Sequence, residues 1–250
     1  MGQYLYAITS EALPFTVDVT GLNQAPIYSV THDGLVALVS DLSEPRLRPE
    51  RRHLSAHQTV LSRLLQVTTP LPIRFGVVSA NEKATRRMLK NYSSDLLDQL
   101  RRVDGCVEMG LRVRWSVPNI FEHFIAGHPI LGQLRDDIRS GEQDGVVLHQ
   151  SRIELGRTFE NILEQEKERI DQHVTDVLSK AVAEIHRGKS RAENDILNLA
   201  CLVERNRQDE FVARVIEAAS GFDANFEFDY NGPWAPHNFV ALDLDPAASN

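Results

Sequence analysis

Apolar and polar positions along the first part of the chain predict short strands joined by a tight turn. Residues 4–8, 27–30 and 35–40 are rich in aromatic and aliphatic side chains and have strand character. His32-Asp33-Gly34 separates the last two, and glycine readily adopts the positive φ that a hairpin turn requires. Residues 71–78 are a further apolar segment and predict another strand.

Apolar residues at helical spacing predict two helices in the same region. The first has its apolar stripe over residues 54–65, with His57 on the same face, and ends at Thr68-Thr69-Pro70. The second has a single apolar stripe over residues 84–103. Together with the strands, these helices predict an N-terminal α+β domain over residues 1–104.

The next part of the chain opens with a strict alternation of apolar and other residues. Odd-numbered residues from 107 to 115 are apolar, so they predict a strand with one buried face and with Glu108 on the solvent face. Residues 118–150 are rich in glycine and predict a mobile or variable insert. The apolar residues over 155–185 then predict one long amphipathic helix that ends at Gly188.

The last part of the chain predicts three more elements and a turn. Residues 196–203 are an unbroken apolar run, as expected for a central strand buried on both faces. A helix follows whose predicted core face includes Ile216, and the alternation over 222–230 predicts a half-buried strand. Gly232-Pro233 predicts a chain reversal before a final apolar segment at 238–244.

These elements predict an α+β fold with two domains, residues 1–104 and residues 105–250. The second domain is close to a ferredoxin-like sandwich but has a modified order: strand, long helix, strand, helix, strand, strand. It contains the long amphipathic helix and the variable insert at about 118–150.

The formal net charge of −8 is distributed unevenly. Residues 1–115 carry 14 basic and 11 acidic side chains, whereas residues 116–250 carry 13 and 24. The net negative field repels phosphate, which excludes nucleic acid as the main target and favours protein partners. No apolar run approaches the roughly 20 residues needed to cross a bilayer, and no signal peptide is recognisable. We therefore expect a cytoplasmic protein that does not insert into a lipid membrane.

The common catalytic motifs are absent from the sequence: GxGxxG, GxxxxGK(S/T), GxSxG, HExxH and CxxC do not occur. His53 and His57 have the spacing of metal ligands on a helix, but no further ligand cluster accompanies them. We interpret His57 as a buried, hydrogen-bonded histidine. Cys106 and Cys201 are interpreted as buried thiols, with a disulfide or metal pair as the alternative. The sequence thus predicts no enzyme activity, no metal site and no cofactor.

Two short segments have unusual chemistry. In Leu71-Pro72-Ile73-Arg74-Phe75-Gly76, Arg74 places a permanent charge in an apolar strand, where it either closes a buried ion pair or binds a partner. The second segment, residues 229–240, contains Gly232-Pro233 followed by Trp234. Trp234 either fills the core beneath the predicted turn or serves as an aromatic interface anchor.

These segments, in this order, resemble the GvpL/GvpF family of gas vesicle proteins. Tyr4-Leu5-Tyr6-Ala7-Ile8 is similar to the opening strand of the family, His57-Gln58-Thr59-Val60-Leu61 to its first helix and Pro72-Ile73-Arg74-Phe75-Gly76 to its central strand. The stretch that begins at Gly232 is similar to its C-terminal signature and is the most specific of the four. Within that signature, Ala235 and His237 stand where the family commonly has a proline and a tyrosine.

The resemblance implies an accessory or minor structural protein in the assembly of gas vesicles. The implied partners are the small hydrophobic gas vesicle shell protein and other gas vesicle accessory proteins, and the implied location is the gas vesicle. The corresponding partner-binding or structural residues are Arg74, Phe75, Gly232, Pro233, Trp234 and Phe239. The alternative function is that of a small-molecule-binding regulator, since ferredoxin-like domains often pair and bind ligands between them.

Overall fold

The computed structural model describes residues 2–10, 19–43, 47–140, 145–190 and 192–242. The chain divides into two compact units. The first comprises Met1–Met109, Ala200–Gln208 and Gly232–Asn250, and the second comprises Gly110–Leu199 and Asp209–Asn231. The division into domains 1–104 and 105–250 stays a prediction. The two compact units differ from it because the later segments Ala200–Gln208 and Gly232–Asn250 belong to the first unit.

A mixed helix and sheet structure agrees with the predicted α+β class. The first sheet has the strand order β2-β3-β1-β4, with β5 also paired to β1. Its strands are β1 (Gly2–Ser10), β2 (Ile27–His32), β3 (Leu35–Leu42), β4 (Leu71–Pro72) and β5 (Val78–Ser79). All pairings in this sheet are antiparallel.

The hairpin between β2 and β3 confirms the turn predicted from His32-Asp33-Gly34. His32 pairs with Leu35, so Asp33 and Gly34 alone connect the strands. Asp33 has φ of 43° and Gly34 has φ of 79°. Positive φ at both central positions is the arrangement that matches the right-handed twist of the flanking strands.

The single strand predicted over residues 71–78 is wrong. Only its ends, β4 and β5, form ladder pairs, and residues 73–77 lie between them without regular strand structure. Two backbone hydrogen bonds hold this connection to β1: the Ile73 N–H donates to the Tyr6 carbonyl at 2.9 Å, and the Leu5 N–H donates to the Val77 carbonyl at 3.1 Å. Pro72 has no N–H to donate and Gly76 has φ of 94°, so both residues favour an interrupted strand.

The helices of the first unit are α1 (Arg51–Leu65), α2 (Glu82–Asn91) and α3 (Ser93–Val103). The predicted continuous helix over 84–103 is broken at Tyr92, where φ is −106° and ψ is 14°. The apolar stripe continues across the break because Met88 and Leu96 are both buried. On α1, Leu54 is 45% exposed and does not belong to the buried stripe.

The central strand β1 is covered on both faces. Leu5 and Ile8 pack with buried residues of α2 and α3, whereas Tyr4, Tyr6 and Ala7 pack with buried residues of α1. A register shift between Leu5 and Ala7 places two consecutive residues on the α1 side. Strand β1 therefore forms the centre of the first unit.

The second sheet has the strand order β7-β8-β6-β9. Its strands are β6 (Cys106–Trp115), β7 (Glu184–Arg187), β8 (Asp195–Glu204) and β9 (Phe226–Trp234). The alternation predicted for β6 is confirmed, since every odd-numbered residue from 107 to 115 is buried. The prediction of a central, buried strand is confirmed for β8.

The remaining helices are α4 (Ile120–Gly127), α5 (Pro129–Ser140), α6 (Gly145–Leu178) and α7 (Gln208–Ala219). Residues 118–150, predicted as a variable insert, are thus mostly helical where they are described. Asn119 begins α4 by accepting a hydrogen bond from the Glu122 N–H at 3.1 Å. Residues 141–144 lie outside the described part of the chain.

The predicted long helix is present but ends earlier than expected. α6 has 34 residues, which corresponds to a length of about 50 Å. Ile185, assigned to the helix by its apolar character, lies instead in the short strand β7. Among the described residues, no helix combines the length and hydrophobicity needed to cross a membrane.

The end of the chain differs from its predicted course. Gly232 and Pro233 lie within β9, joined by a cis peptide bond, so the expected reversal at this dipeptide is wrong. A short 3-10 turn, His237–Phe239, follows the strand. The predicted last apolar segment at 238–244 begins within this turn, and its residues 243 and 244 lie outside the described part of the chain.

Candidate functional site

The two segments singled out in the sequence line one cleft in the first unit. Pro72, Ile73, Arg74 and Val77 come from the β4–β5 connection, and three residues after the end of β9 line the cleft with them. The cleft has a volume of about 170 Å³. These three residues are His237 and Val240 of the second segment and Leu242 just beyond it. The structure therefore brings together parts of the sequence that lie more than 150 positions apart.

Arg74 lies at this cleft with its side chain exposed to solvent. Within the described part of the chain it forms no ion pair or hydrogen bond. The expectation of a buried ion pair is therefore wrong, because the interruption between β4 and β5 turns this residue out of the apolar core. A permanent charge with no partner among the described residues is available to an external group.

Phe75 belongs to an aromatic cluster beneath the β4–β5 connection. Its ring lies 5.9 Å from the ring of Tyr4 and 5.9 Å from the ring of His57. Tyr4 and Tyr6 complete the cluster with their rings 4.9 Å apart. The half-buried Phe75 thus anchors the connection to the core, which leaves Arg74 as the exposed member of the pair.

His57 is buried, as predicted, and hydrogen-bonded through one ring nitrogen. The Tyr4 hydroxyl lies 2.8 Å from His57 Nδ1 and also accepts a bond from the Gly76 N–H at 3.4 Å, so its own proton is free to be donated to Nδ1. His57 Nε2 is buried without a hydrogen-bond partner among the described residues. Burial, and secondarily the nearby His237, lower the pKa of His57 from 6.5 to about 4.

His53, the other helical histidine, is also buried but faces different partners. Its Nδ1 lies 3.1 Å from the Arg48 carbonyl, and its Nε2 lies 3.2 Å from Asn23 Oδ1. Both ring nitrogens are thus engaged with protein atoms. Over the residues that the structure describes, no group of three or more histidine, cysteine or carboxylate side chains could hold a metal ion.

Glu108 positions the turn that carries His237. This side chain is only 7% exposed, although the alternation of β6 predicted it on the solvent face. Its carboxylate accepts two hydrogen bonds from Asn238, at 2.8 Å from the backbone N–H and at 2.6 Å from Nδ2. Sequence reasoning missed this pair, because a glutamate at an even position of an alternating strand has the pattern of a solvated residue.

Gly232 is required by a close approach to β6. Its φ is 124°, and a Cβ at this position would lie 2.9 Å from the Glu108 carbonyl oxygen and 2.9 Å from Met109 Sδ. Pro233 and Trp234 follow on the exposed part of β9. Trp234 is 39% exposed, so it does not fill the core beneath a turn. Phe239, in contrast, is 2% exposed and belongs to the core of the unit.

Both cysteines are buried and free, which confirms their interpretation as buried thiols. Burial raises the pKa of the Cys106 thiol, and the acids Glu204 and Asp104 add to this effect. Burial likewise raises the pKa of the Cys201 thiol to about 12, with a smaller contribution from Glu108. Thiols held protonated in this way are poor nucleophiles.

The comparison with protein families identifies the chain. A family model described as gas vesicle synthesis protein GvpL/GvpF matches residues 2–241. The chain belongs to the GvpL/GvpF family. The resemblance noted in the sequence is thereby confirmed, and it extends over both units of the structure.

Individual members of the GvpL/GvpF family align with nearly the whole chain. Gas vesicle protein F of Nostoc sp. is 28% identical over 245 residues, which cover 96% of this chain and 98% of the relative. Gas vesicle protein L of Streptomyces sp. is 28% identical over 265 residues, covering 96% and 93%. The crystal structure of GvpF from Anabaena sp. superposes with a TM-score of 0.86 at 27% identity, covering 97% of this chain and 99% of that one.

Proposed function

We propose that this GvpL/GvpF family member assists the assembly of gas vesicles, or forms a minor part of their wall, by binding the gas vesicle shell protein. Other gas vesicle accessory proteins are further partners in this proposal. The protein acts at the gas vesicle and in the cytoplasm, without nucleic acid or lipid membrane as a target. It acts as a binding protein and not as an enzyme.

The observation that carries this proposal is that the two family segments meet at one cleft of the first unit. Arg74 and His237 lie at the same cleft, and the C-terminal segment also presents Pro233 and Trp234 to solvent. Large aromatic side chains and arginines are the residues that most often dominate the free energy of protein association. Arg74 and Trp234 are exposed residues of these two types, so we take them together as the proposed protein-binding surface.

The proposal includes a ferredoxin-like arrangement of the second sheet. Its elements follow the order β6, the helices α4 to α6, β7, β8, α7 and β9, which is a split β-α-β-β-α-β order once α4 to α6 are taken as one connection. The strand order β7-β8-β6-β9 supports the same assignment. The order predicted from the sequence departs from this split order because it lacks the short strand β7.

A small-molecule regulator is less well supported by the geometry. The cleft at Arg74 has a volume of about 170 Å³, and a second cleft between α6 and the β7–β8 region has about 210 Å³. Pockets for drug-sized ligands usually hold about 300–1,000 Å³. Neither cleft offers the enclosed volume that such a ligand requires.

Trp234→Ala tests the proposed binding surface. Truncating an exposed aromatic anchor removes apolar contact area with the partner, so we expect binding to the shell protein to weaken about tenfold or more. The measurement is the amount of shell protein that co-purifies with the tagged variant from vesicle-forming cells. Thermal unfolding of each purified variant establishes that the fold is retained.

Ile216→Ala is the matched control for this experiment. Ile216 is 63% exposed on α7 and is another large apolar side chain whose truncation removes surface without disturbing the core. Co-purification with this variant should equal that of the unmodified protein. Equal recovery of shell protein with Trp234→Ala and with Ile216→Ala would remove Trp234 from the proposed surface.

A further inference from the structure

The cleft at Arg74 has basic but no acidic side chains in its described lining. It carries one permanent cation, Arg74, and one histidine, His237, and none of the described residues that line it is acidic. Its remaining walls are apolar side chains from both segments. A cationic rim with no acidic residue in its described lining favours an anionic group, and apolar walls favour an aliphatic side chain next to that group.

The wall of this cleft that comes from the C-terminal segment is held by specific hydrogen bonds. The Gln99 side chain binds both backbone polar groups of Ala241. Its Oε1 accepts a hydrogen bond from the Ala241 N–H at 2.8 Å, and its Nε2 donates one to the Ala241 carbonyl at 3.0 Å. These bonds fix the backbone between Val240 and Leu242. The Glu108–Asn238 pair fixes the turn beside His237 in the same way.

The opposite wall is equally constrained. The backbone bonds of Ile73 and Val77 to β1 hold both ends of the connection that carries Arg74, and Phe75 anchors its centre in the aromatic cluster. Binding to a preformed surface loses less conformational freedom than binding to a mobile one, so a short segment can bind with useful affinity.

We propose that this cleft binds a short segment of the shell protein in which a carboxylate side chain lies next to aliphatic side chains. The carboxylate pairs with the Arg74 guanidinium, whose planar fork can donate two parallel hydrogen bonds. The aliphatic side chains pack on Val77, Val240 and Leu242, the apolar lining residues that are only partly buried. This inference rests on the proposed function, because it names the contact through which the shell protein is bound.

The Arg74→Glu variant tests this contact. The probes are short overlapping synthetic peptides that cover the sequence of the shell protein of the same organism. We expect the unmodified chain to bind a peptide with an acidic residue flanked by aliphatic ones, and Arg74→Glu to bind it roughly tenfold or more weakly. Fluorescence anisotropy measures the affinities. Replacing the acidic residue of that peptide by arginine should restore binding to Arg74→Glu and abolish binding to the unmodified chain.

Arg51→Glu is the control, because it makes the same change in net charge at an exposed arginine that does not line the cleft. Its affinity for the acidic peptide should remain unchanged. Equal binding by the unmodified chain, Arg74→Glu and Arg51→Glu would overturn the inference while leaving the proposed function intact. Failure of the unmodified chain to bind the full-length shell protein would overturn the proposed function itself.

Two further results would show that the cleft has another occupant. If Arg74→Glu converts a dimer of the unmodified chain into a monomer in light scattering, the cleft binds a second copy and the inference is wrong. If deletion of residues 243–250 is needed before any acidic peptide binds, the cleft is taken by the chain's own Asp243 or Asp245, and the inference is again wrong.

Discussion

We expect the Gly232→Ala variant to lose about 4 kcal/mol of its free energy of unfolding. The new methyl group would lie 2.9 Å from the Glu108 carbonyl oxygen and 2.9 Å from Met109 Sδ, closer than such atoms can approach. The φ of 124° adds conformational strain for any residue with a Cβ. Chemical denaturation of the purified variant, followed by circular dichroism, measures the loss.

Gly34→Ala separates the two contributions. Gly34 also has positive φ, at 79°, but a Cβ at that position would meet no atom within 4 Å. This variant should lose only the conformational part, about 1 kcal/mol. If both variants lost the same amount, the close approach of Gly232 to β6 would have no energetic consequence.

The second large effect is a loss of stability in acid that originates at His57. Its pKa is lowered from 6.5 to about 4 in the folded protein, chiefly by burial, so the unfolded chain takes up a proton at a higher pH than the folded one. The contribution of the neutral ring to stability is therefore complete above pH 6.5 and is lost as the pH falls towards 4. At the lower end of this range the loss amounts to about 3 kcal/mol.

The measurement is the free energy of unfolding at a series of pH values, compared between the unmodified chain and two variants. His57→Asn places an oxygen near the position of Nδ1, within reach of the Tyr4 hydroxyl, and cannot be protonated in this range. Between pH 6.5 and 4, the free energy of unfolding of this variant should fall by about 3 kcal/mol less than that of the unmodified chain, whatever its stability at neutral pH. His186→Asn changes an exposed histidine of β7 and should keep the acid sensitivity of the unmodified chain. An unchanged pH profile for His57→Asn would show that the sensitivity arises elsewhere.

Much of the fold could be predicted from the sequence where the hydrophobic pattern has a single periodicity. The hairpin at Asp33-Gly34 and the alternating strand β6 are examples, since turn chemistry and alternation point to the same structure. The short strand β7 was missed because four residues are too few to show a period, and Ile185 also fits the stripe of the preceding helix. The interruption between β4 and β5 was missed because Ile73, Phe75 and Val77 continue the apolar character of the flanking residues, which outweighed the break signals of Pro72 and Gly76.

The candidate site was predicted less completely than the fold. Family resemblance identified Arg74 and the Gly232-Pro233-Trp234 stretch, but it gave no reason to place the two segments at one cleft. That arrangement depends on long-range contacts such as Glu108 with Asn238 and Gln99 with Ala241, which leave no local pattern in the sequence. The sequence also could not separate the buried Phe239 from the exposed Trp234, because both are large aromatic side chains in one segment.

The most direct test of the proposed role is the number of intact gas vesicles in cells that lack this gene. Electron microscopy should show few or none, with full recovery when the unmodified gene is returned. A gene that encodes both Arg74→Glu and Trp234→Ala should fail to restore them, although its product accumulates to the same level. Normal vesicle numbers without the gene, or full recovery with the double variant, would contradict a role in assembly through this surface.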